Sequence, residues 1–179
     1  MAYLNESHIE LADIAFFTEK LGYSHINASD KQLLGRKSLK EVVLADRLKH
    51  QLQKLNNHLP EHCIDTAIGE LTRSRATMLP VLANKEVYEL VKNGVQVTYK
   101  NVHGREENDY VRIIDFTSAN DNDFLVVTQL SIEYQLTQNI TRRPDMLLYI
   151  NGLPLVMIEL KNATEKVKTG YDKNLKDYL

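Results

Sequence analysis

Apolar residues recur at helical spacing near the start of the chain. Ile9, Ile14 and Phe17 fall on one side of a helix drawn through residues 6–20. Gly22 follows this segment, and glycine commonly occupies the position just after a helix end. The pattern predicts an amphipathic helix over residues 6–20.

Further helices are predicted in the next part of the chain, which is rich in Leu, Lys, Glu, Gln and Ala. Pro60 is suited to the first turn of a helix, and Gly94 to the position just past a helix end. The predicted helices cover about residues 38–56, 60–76 and 83–93.

After Gly94 the apolar pattern changes to that of β-strands. Residues 95–99 alternate between apolar and polar side chains, and residues 110–116 and 124–134 are rich in β-branched and aromatic types. Residues 164–178 return to a helical pattern.

Two nearly continuous apolar runs, residues 146–150 and 154–158, lie on either side of Asn151-Gly152. An Asn-Gly pair between apolar runs is a strong hairpin signal. Continuous apolar strands are typical of a sheet that is covered on both faces. A helical first half followed by such strands predicts an α/β or α+β domain: a mixed sheet flanked by helices, with a helical subregion in the first half.

Composition narrows the class of protein without naming a function. The chain has 179 residues, of which 43% are hydrophobic and 26% charged, enough for one domain with a core. Its net charge of -2 means that any DNA binding would need a local basic surface. The lone Cys63 excludes an intrachain disulfide. Without a signal peptide or an apolar run of about 20 residues, a cytoplasmic protein with no membrane partner is expected.

Three ionisable residues lie at the ends of the apolar runs. Asp145 precedes the first run, and Glu159 and Lys161 follow the second. Charges in such places are unfavourable unless they serve each other or a ligand. Two carboxylates form a hard oxygen site suited to Mg²⁺, and a nearby lysine can orient a water or stabilise phosphate charge. The pattern favours phosphodiester hydrolysis, and a buried ion pair beside a chance aspartate is the open alternative.

The geometry of the hairpin decides whether these side chains converge. Glu159 and Lys161 are two residues apart, so on a strand they share a face. Asp145 joins that face only if the loop has an odd number of residues or a bulge shifts the register. We therefore predict a three-residue loop or a bulge, with Gly152 in a left-handed conformation.

A series of segments, in order, resembles the nuclease domain of the motor subunit of type I restriction enzymes, within the PD-(D/E)xK nuclease superfamily. The most specific match is Arg143-Pro144-Asp145 followed by Asn-Gly-Leu-Pro-Leu-Val at 151–156 and Ile-Glu-Leu-Lys at 158–161. The resemblance spans nearly the whole chain. The other matching segments are residues 5–10, 21–23, 93–95, 114–116 and 122–127.

The resemblance implies a restriction-endonuclease-like fold with a metal site. Asp145 and Glu159 would be metal ligands, and Lys161 would be the catalytic lysine. An acidic residue of the first helix often completes such sites, and here Glu10 is preferred over Glu6.

Further residues are implied in support of that site. The family has a Gln-x-x-x-Tyr element after the lysine, which this chain matches at Tyr178 but departs from at Asn174, one methylene shorter than glutamine. Arg142 and Arg143 either contact DNA phosphates or belong to a solvated strand end. Gln129 either faces the site or is an ordinary hydrogen-bonded residue of a strand.

The resemblance also implies a larger enzyme. We expect residues 1–179 to be an N-terminal endonuclease domain, with a helical part at about 30–93 inserted before the catalytic strands. It would need Mg²⁺ and cleave double-stranded DNA after ATP-driven translocation, in a complex with modification and specificity subunits. The chain has no Gly-x4-Gly-Lys-[Ser/Thr] phosphate loop, so ATP is expected to bind only a helicase-like motor after residue 179.

Two alternatives remain open at this point. One is a catalytically silent module with a nuclease fold, which binds DNA or docks the motor. The other is a different enzyme of the same superfamily, such as a repair nuclease or a junction resolvase.

Overall fold

The computed structural model describes residues 6–29, 34–135 and 139–161. The chain divides into two compact units, each of which contains helices and strands. The first unit comprises residues 1–42, 124–149 and 154–179, and the second comprises residues 43–123 and 150–153.

The described secondary structure comprises four helices and eight strands. The helices are α1 (Glu6–Ala15), α2 (Ala45–Leu55), α3 (Glu61–Thr72) and α4 (Pro80–Asn93). The strands are β1 (Ser24–Asn27), β2 (Val95–Lys100), β3 (Glu106–Val111), β4 (Phe124–Thr128), β5 (Ile132–Gln135), β6 (Asn139–Arg142), β7 (Met146–Ile150) and β8 (Leu153–Ile158). A π-helical turn, Phe16–Lys20, extends α1, and a 3₁₀ turn, Ala119–Asp121, precedes β4.

A four-stranded mixed sheet in the order β1-β4-β7-β8 forms the centre of the first unit. β1 is parallel to β4, with Ser24 paired to Leu125. β5 and β6 form a separate antiparallel ribbon, in which Ile132 pairs with Arg142. This mixed sheet with its helices confirms the predicted fold class and is consistent with a restriction-endonuclease-like fold.

β4 and β7 run antiparallel. The backbone N–H of Asn151, just after β7, donates to the carbonyl of Asp123, just before β4, over 2.8 Å. The start of β4 therefore lies beside the end of β7. Because each strand has five residues, Gln129 and Asp145 are the first residues beyond them at the opposite edge of the sheet.

α1 and its π-helical turn cover one face of this sheet. Their apolar residues pack against Val126 of β4 and against Met146 and Leu148 of β7. Gly22, with a φ of 74°, ends this helical segment as predicted. The partly buried residues of this cluster are Ile9, Ile14, Phe17, Tyr23 and Ile158.

The second unit has a core of its own, between α2, α3 and the β2–β3 hairpin. Leu48 and Leu52 are one helical turn apart in α2, and both are fully buried. Val95 pairs with Val111 across the antiparallel hairpin, and both side chains face the same cluster. Pro80 lies in the first turn of α4 and Gly94 follows its end, as proline and glycine favour.

Several predicted boundaries of helices and strands are wrong because the backbone there forms hydrogen bonds with residues distant in the chain. α2 begins at Ala45 rather than near residue 38. Before it, the Leu39 carbonyl accepts the N–H of Glu133, and the Val42 carbonyl accepts the Tyr149 hydroxyl. The predicted helix over residues 164–178 lies outside the described residues.

The predicted strands also need correction. β3 ends at Val111, because the Arg112 N–H donates to Asn56 and the following residues turn around Asp115. The strand predicted over residues 124–134 is two strands, separated by residues 129–131. β1 and β6 were not predicted. β8 is the outermost strand of the described sheet and is partly exposed, so it is not covered on both faces.

Within the described residues, no helix has both the length and the apolar character that crossing a membrane requires.

Candidate functional site

The hairpin between β7 and β8 has a two-residue turn. Asn151 and Gly152 have φ angles of 54° and 85°, the two left-handed positions of a type I′ turn. The left-handed Gly152 is confirmed. The three-residue loop, which was predicted as one alternative to a bulge, is wrong, because only two residues separate β7 from β8. The Asn151 side chain stabilises this turn through hydrogen bonds to Ile113, Asn122 and Asp123.

Strand alternation does not decide where the candidate site residues lie. Asp145 occupies a bend before β7, and β8 ends at Ile158, so Glu159 and Lys161 lie beyond it. The rule that side chains alternate between faces holds only within a regular strand. All three side chains are partly buried.

A hydrogen bond joins the two ends of the hairpin. The Oδ2 atom of Asp145 accepts the backbone N–H of Leu160 over 2.6 Å. Leu160 lies between Glu159 and Lys161 in the chain and is itself buried. The Asp145 carboxylate therefore lies at the same end of the hairpin as these two residues.

Glu10 reaches the same sheet through α1. Its neighbour Ile9 packs in the cluster that contains Met146, next to Asp145, and Leu160. The Nε2 atom of Gln129 donates to Oε1 of Glu10 over 3.3 Å. Gln129 is not a strand residue: it follows β4 and has a φ of 61°.

The donor set suits a hard divalent cation. Mg²⁺ is often held by one or two protein carboxylates, with water and phosphate oxygens completing its shell, and Asp145 and Glu159 are such carboxylates. Within residues 6–29, 34–135 and 139–161, no three His, Cys, Asp or Glu residues form a group that could hold a metal. The described structure therefore does not group Asp145, Glu159 and Glu10 as one three-ligand site, and this ligand set stays a prediction.

The remaining predicted site residues lie at the edges of the described structure. Arg142 ends β6 and is partly buried, whereas Arg143 is exposed. Glu6 begins α1 and is exposed. Asn174 and Tyr178 lie outside the described residues.

The second unit contains a polar network that the sequence analysis missed. The fully buried Asn151 donates from Nδ2 to the Ile113 carbonyl and to Oδ1 of Asn122, and its own Oδ1 accepts the Asp123 N–H. Asn122 in turn binds both backbone groups of Asp115. The Asn-Gly signal pointed to this turn, but nothing local to it indicated the distant partners.

Comparison with known proteins identifies the family. Residues 3–179 match the family described as the N terminus of the type I restriction enzyme R protein. The chain belongs to this family. The resemblance drawn from the hairpin motifs is thereby confirmed over nearly the whole chain.

Individual members of the R protein family align over a similar length. The type I restriction enzyme HindI endonuclease subunit of Haemophilus influenzae is 34% identical over 163 residues, which cover 89% of this chain and 15% of that protein. A protein of Methanocaldococcus jannaschii, named as the type I restriction enzyme MjaIXP endonuclease subunit, is 29% identical over 163 residues, covering 90% of this chain and 16% of that protein. The chain thus spans about a sixth of these relatives or slightly less.

Proposed function

We propose that this domain is the DNA-cleaving part of a type I restriction enzyme, and that it hydrolyses phosphodiester bonds of double-stranded DNA with Mg²⁺. The observation that carries the proposal is the hydrogen bond from Leu160 to Asp145. It fixes a carboxylate at the hairpin end that also bears Glu159 and Lys161, in a chain of the R protein family.

Each of these residues has a distinct role in the proposed reaction. The carboxylates of Asp145 and Glu159 would hold the cation, with Glu10 as the predicted third acidic ligand. A bound Mg²⁺ would polarise the scissile phosphate and lower the pKa of a coordinated water. The Lys161 ammonium orients the attacking water and stabilises the negative charge that develops on the phosphate. The Leu160 N–H limits the orientations of the Asp145 carboxylate and so prepares the site.

Other residues would bind or support the DNA. Arg142 and Arg143 directly precede Pro144-Asp145 in the chain and would contact backbone phosphates. Asn174 and Tyr178 would support the site from the segment after Lys161. Such contacts carry no sequence information, so this domain would cleave without choosing a sequence.

The proposal extends to the complete enzyme. Residues 1–179 would form its N-terminal endonuclease domain, with the helical part at about 30–93 inserted before the catalytic strands. A motor in the rest of the subunit would bind ATP and translocate DNA, and modification and specificity subunits would select the site. Cleavage would follow translocation, in the cytoplasm.

The decisive experiment uses the full-length subunit in the assembled complex. We expect Asp145→Ala and Lys161→Ala each to reduce DNA cleavage by roughly 100-fold or more, because each removes part of the catalytic group. ATP hydrolysis should persist, because the motor is separate. Lys85→Ala, an exposed lysine of α4, is the matched control and should cleave normally.

Retention of cleavage by both variants would refute the proposal. It would favour a catalytically silent module that binds DNA or docks the motor. A complex that loses ATP hydrolysis along with cleavage would also count against it, since the two activities would then not be separable.

A further inference from the structure

We propose that the guanidinium of Arg36 binds a backbone phosphate of DNA, together with the neighbouring ammonium of Lys37. This inference rests on the DNA substrate of the function proposed above and names residues that would hold it. Neither residue belongs to the hairpin motifs or to the predicted metal site. Three features of the first unit support it: the charge state of Arg36, the cavity beside it, and its place next to β5.

Arg36 has a partly buried positive charge that forms no ion pair within the described part of the chain. Its guanidinium donates to the Ser131 carbonyl over 2.9 Å, while its Nε atom is buried and has no hydrogen-bond partner among the described residues. Burial lowers the pKa of Arg36, but an arginine remains charged at neutral pH. A partly desolvated charge of this kind is unfavourable until an anion accompanies it.

Two side chains within electrostatic reach of Arg36 do not neutralise it. The Glu41 carboxylate acts on Arg36 without forming an ion pair, and its Oε2 atom accepts the backbone N–H of Lys37. The Tyr149 hydroxyl stays neutral at pH 7, because burial raises its pKa well above the ordinary value, and it donates to the Val42 carbonyl. The guanidinium is therefore suited to an anion from outside the domain.

An open cavity of about 230 Å³ lies beside Arg36. The part of its lining that the structure describes is Arg36, Lys37, Ser38 and Leu39, four consecutive residues. Lys37 and Ser38 are exposed and add an ammonium and a hydroxyl to the guanidinium, all three of which are hydrogen-bond donors. Arginine recognises phosphate with two parallel hydrogen bonds, and lysine recognises it as a point charge. The cavity thus has donors and charge that match a phosphate group.

The segment that contains Arg36 runs along one edge of β5, and β6 lies along the other. Arg36 donates to the Ser131 carbonyl, and the N–H of Glu133 donates to the Leu39 carbonyl. Since that N–H points to residue 39, β6 pairs with β5 on the opposite side. Two strand spacings, about 10 Å, therefore separate the segment from the backbone of β6.

This arrangement produces a local basic surface. Arg142 of β6 pairs with Ile132, the neighbour of Ser131, and the exposed Arg143 follows it. Residues 36–41, 131–133 and 142–143 contain five cationic side chains and two carboxylates, whereas the whole chain has a net charge of -2. DNA binding by a chain of this net charge requires such a concentration of positive charge in one place.

The basic surface lies within reach of DNA bound at the candidate site. Asp145 follows Arg142 by three residues, so their Cα atoms are at most about 11 Å apart. With the strand pairing between Ile132 and Arg142, the Arg36 guanidinium lies within roughly 20 Å of Asp145. This length corresponds to about six base pairs of duplex DNA. A phosphate a few base pairs from the one cleaved would therefore be the ligand of Arg36.

The salt dependence of DNA binding tests this role. Full-length subunit would be titrated with a short duplex of arbitrary sequence at several salt concentrations, with EDTA and without nucleotide. We expect Arg36→Gln to bind roughly 3- to 10-fold more weakly, and the plot of log affinity against log salt to become less steep by about 1, because one phosphate contact is lost. Arg36→Lys keeps the charge and should keep the wild-type slope.

The matched control is Lys85→Gln, which removes the charge of an exposed lysine of α4. It should bind the duplex with the affinity and slope of the wild type. A decrease in slope as large as that of Arg36→Gln would mean that any lost positive charge has this effect, and the assignment of Arg36 would fail.

A purely structural arginine would give a different result. Its removal would lower the unfolding temperature and leave the salt slope unchanged, and either an unchanged slope in Arg36→Gln or an equal loss of slope in Arg36→Lys would overturn the inference. We expect Arg36→Gln to unfold within a few degrees of the wild type, because glutamine can still donate to the Ser131 carbonyl.

A phosphate ligand other than DNA is distinguished by calorimetric titration of the full-length subunit with inorganic phosphate. If Arg36→Gln loses binding of inorganic phosphate but keeps the wild-type salt slope for DNA, the cavity takes a free phosphate and the DNA assignment is wrong.

The outcome for the proposed function is separate. If Asp145→Ala and Lys161→Ala retain cleavage while Arg36→Gln shows the reduced slope, the domain binds DNA without cleaving it, and the role of Arg36 stands. If Asp145→Ala abolishes cleavage but Arg36→Gln binds DNA as the wild type does, only the role of Arg36 is refuted.

Discussion

The carboxylate of Asp145 and the backbone N–H of Leu160 form a 2.6 Å hydrogen bond that joins the two ends of the β7–β8 hairpin on the side away from its turn. Asp145 is therefore a structural acceptor as well as a predicted metal ligand. The two roles have different chemical requirements: the hydrogen bond needs only an oxygen, whereas a divalent cation favours a charged carboxylate.

Asp145→Asn separates these two roles. Its amide oxygen can still accept the Leu160 N–H, so we expect the unfolding temperature to change by only a few degrees. Cleavage by the assembled complex should fall by roughly 100-fold or more, because the charged ligand is lost. Asp145→Ala is the comparison and should lose both stability and cleavage. Near-normal cleavage by Asp145→Asn would show that the charge at this position is dispensable.

The hairpin shows how far its sequence could predict the structure. Two apolar runs around Asn151-Gly152 were enough to predict the strands and the left-handed glycine, because these depend on local preferences. The predicted loop length was wrong because alternation was extended to Asp145, Glu159 and Lys161, which lie outside the regular strands.

Other errors have a common physical cause. The start of α2 and the end of β3 are set by hydrogen bonds between residues far apart in the chain, such as Leu39 with Glu133 and Asn56 with Arg112. Gln129 is a similar case, since its strained backbone gains a partner 119 positions away. Periodicity reports local preference, so it cannot reveal such contacts.

The side chain of Asn151 should be essential for the stability of the second unit. Asn151→Asp replaces a donor of two hydrogen bonds by a carboxylate that cannot donate, and leaves the oxygens of Ile113 and Asn122 facing a buried charge. We expect a loss of about 3 kcal/mol or more in the free energy of unfolding, measured with urea. Asn120→Ala, at an exposed asparagine of the 3₁₀ turn, should change it by less than about 0.5 kcal/mol. Equal stabilities of the two variants would contradict the assigned network.

Gly152 should be intolerant of even one methyl group. A Cβ atom there would lie 2.7 Å from the N atom of Leu48 and 2.8 Å from the carbonyl oxygen of Leu44, both backbone atoms. Gly104 also has a positive φ, but a Cβ there would meet nothing within 4 Å. Gly104→Ala should therefore lose only about 1 kcal/mol, the strain of a left-handed alanine.

We expect Gly152→Ala to lose at least about 2 kcal/mol more than Gly104→Ala, since α2 or the turn must move. The measurement is urea unfolding of both variants under one set of conditions. Equal losses of stability in the two variants would contradict the close contact between Gly152 and α2, because they would mean that the turn and α2 can move apart at little cost in free energy.

Asp115 should make the stability of the second unit depend on acid pH. The backbone N–H groups of Ser118 and Thr117, and then the Arg112 guanidinium, lower the pKa of Asp115 below its ordinary value, despite the opposing effect of burial. A carboxylate whose pKa is lower in the folded state stabilises the fold above its unfolded pKa of about 4, and this contribution is lost as pH falls through the folded pKa.

Asp115→Asn should thus be less stable than the wild type at pH 7, and the difference should shrink steadily as pH falls below about 4. Urea unfolding of both proteins between pH 7 and pH 3 measures it, with the exposed Asn120→Ala as the control for changes unrelated to charge. A difference that stays constant over this range would show that Asp115 acts through its shape and not through its ionised form.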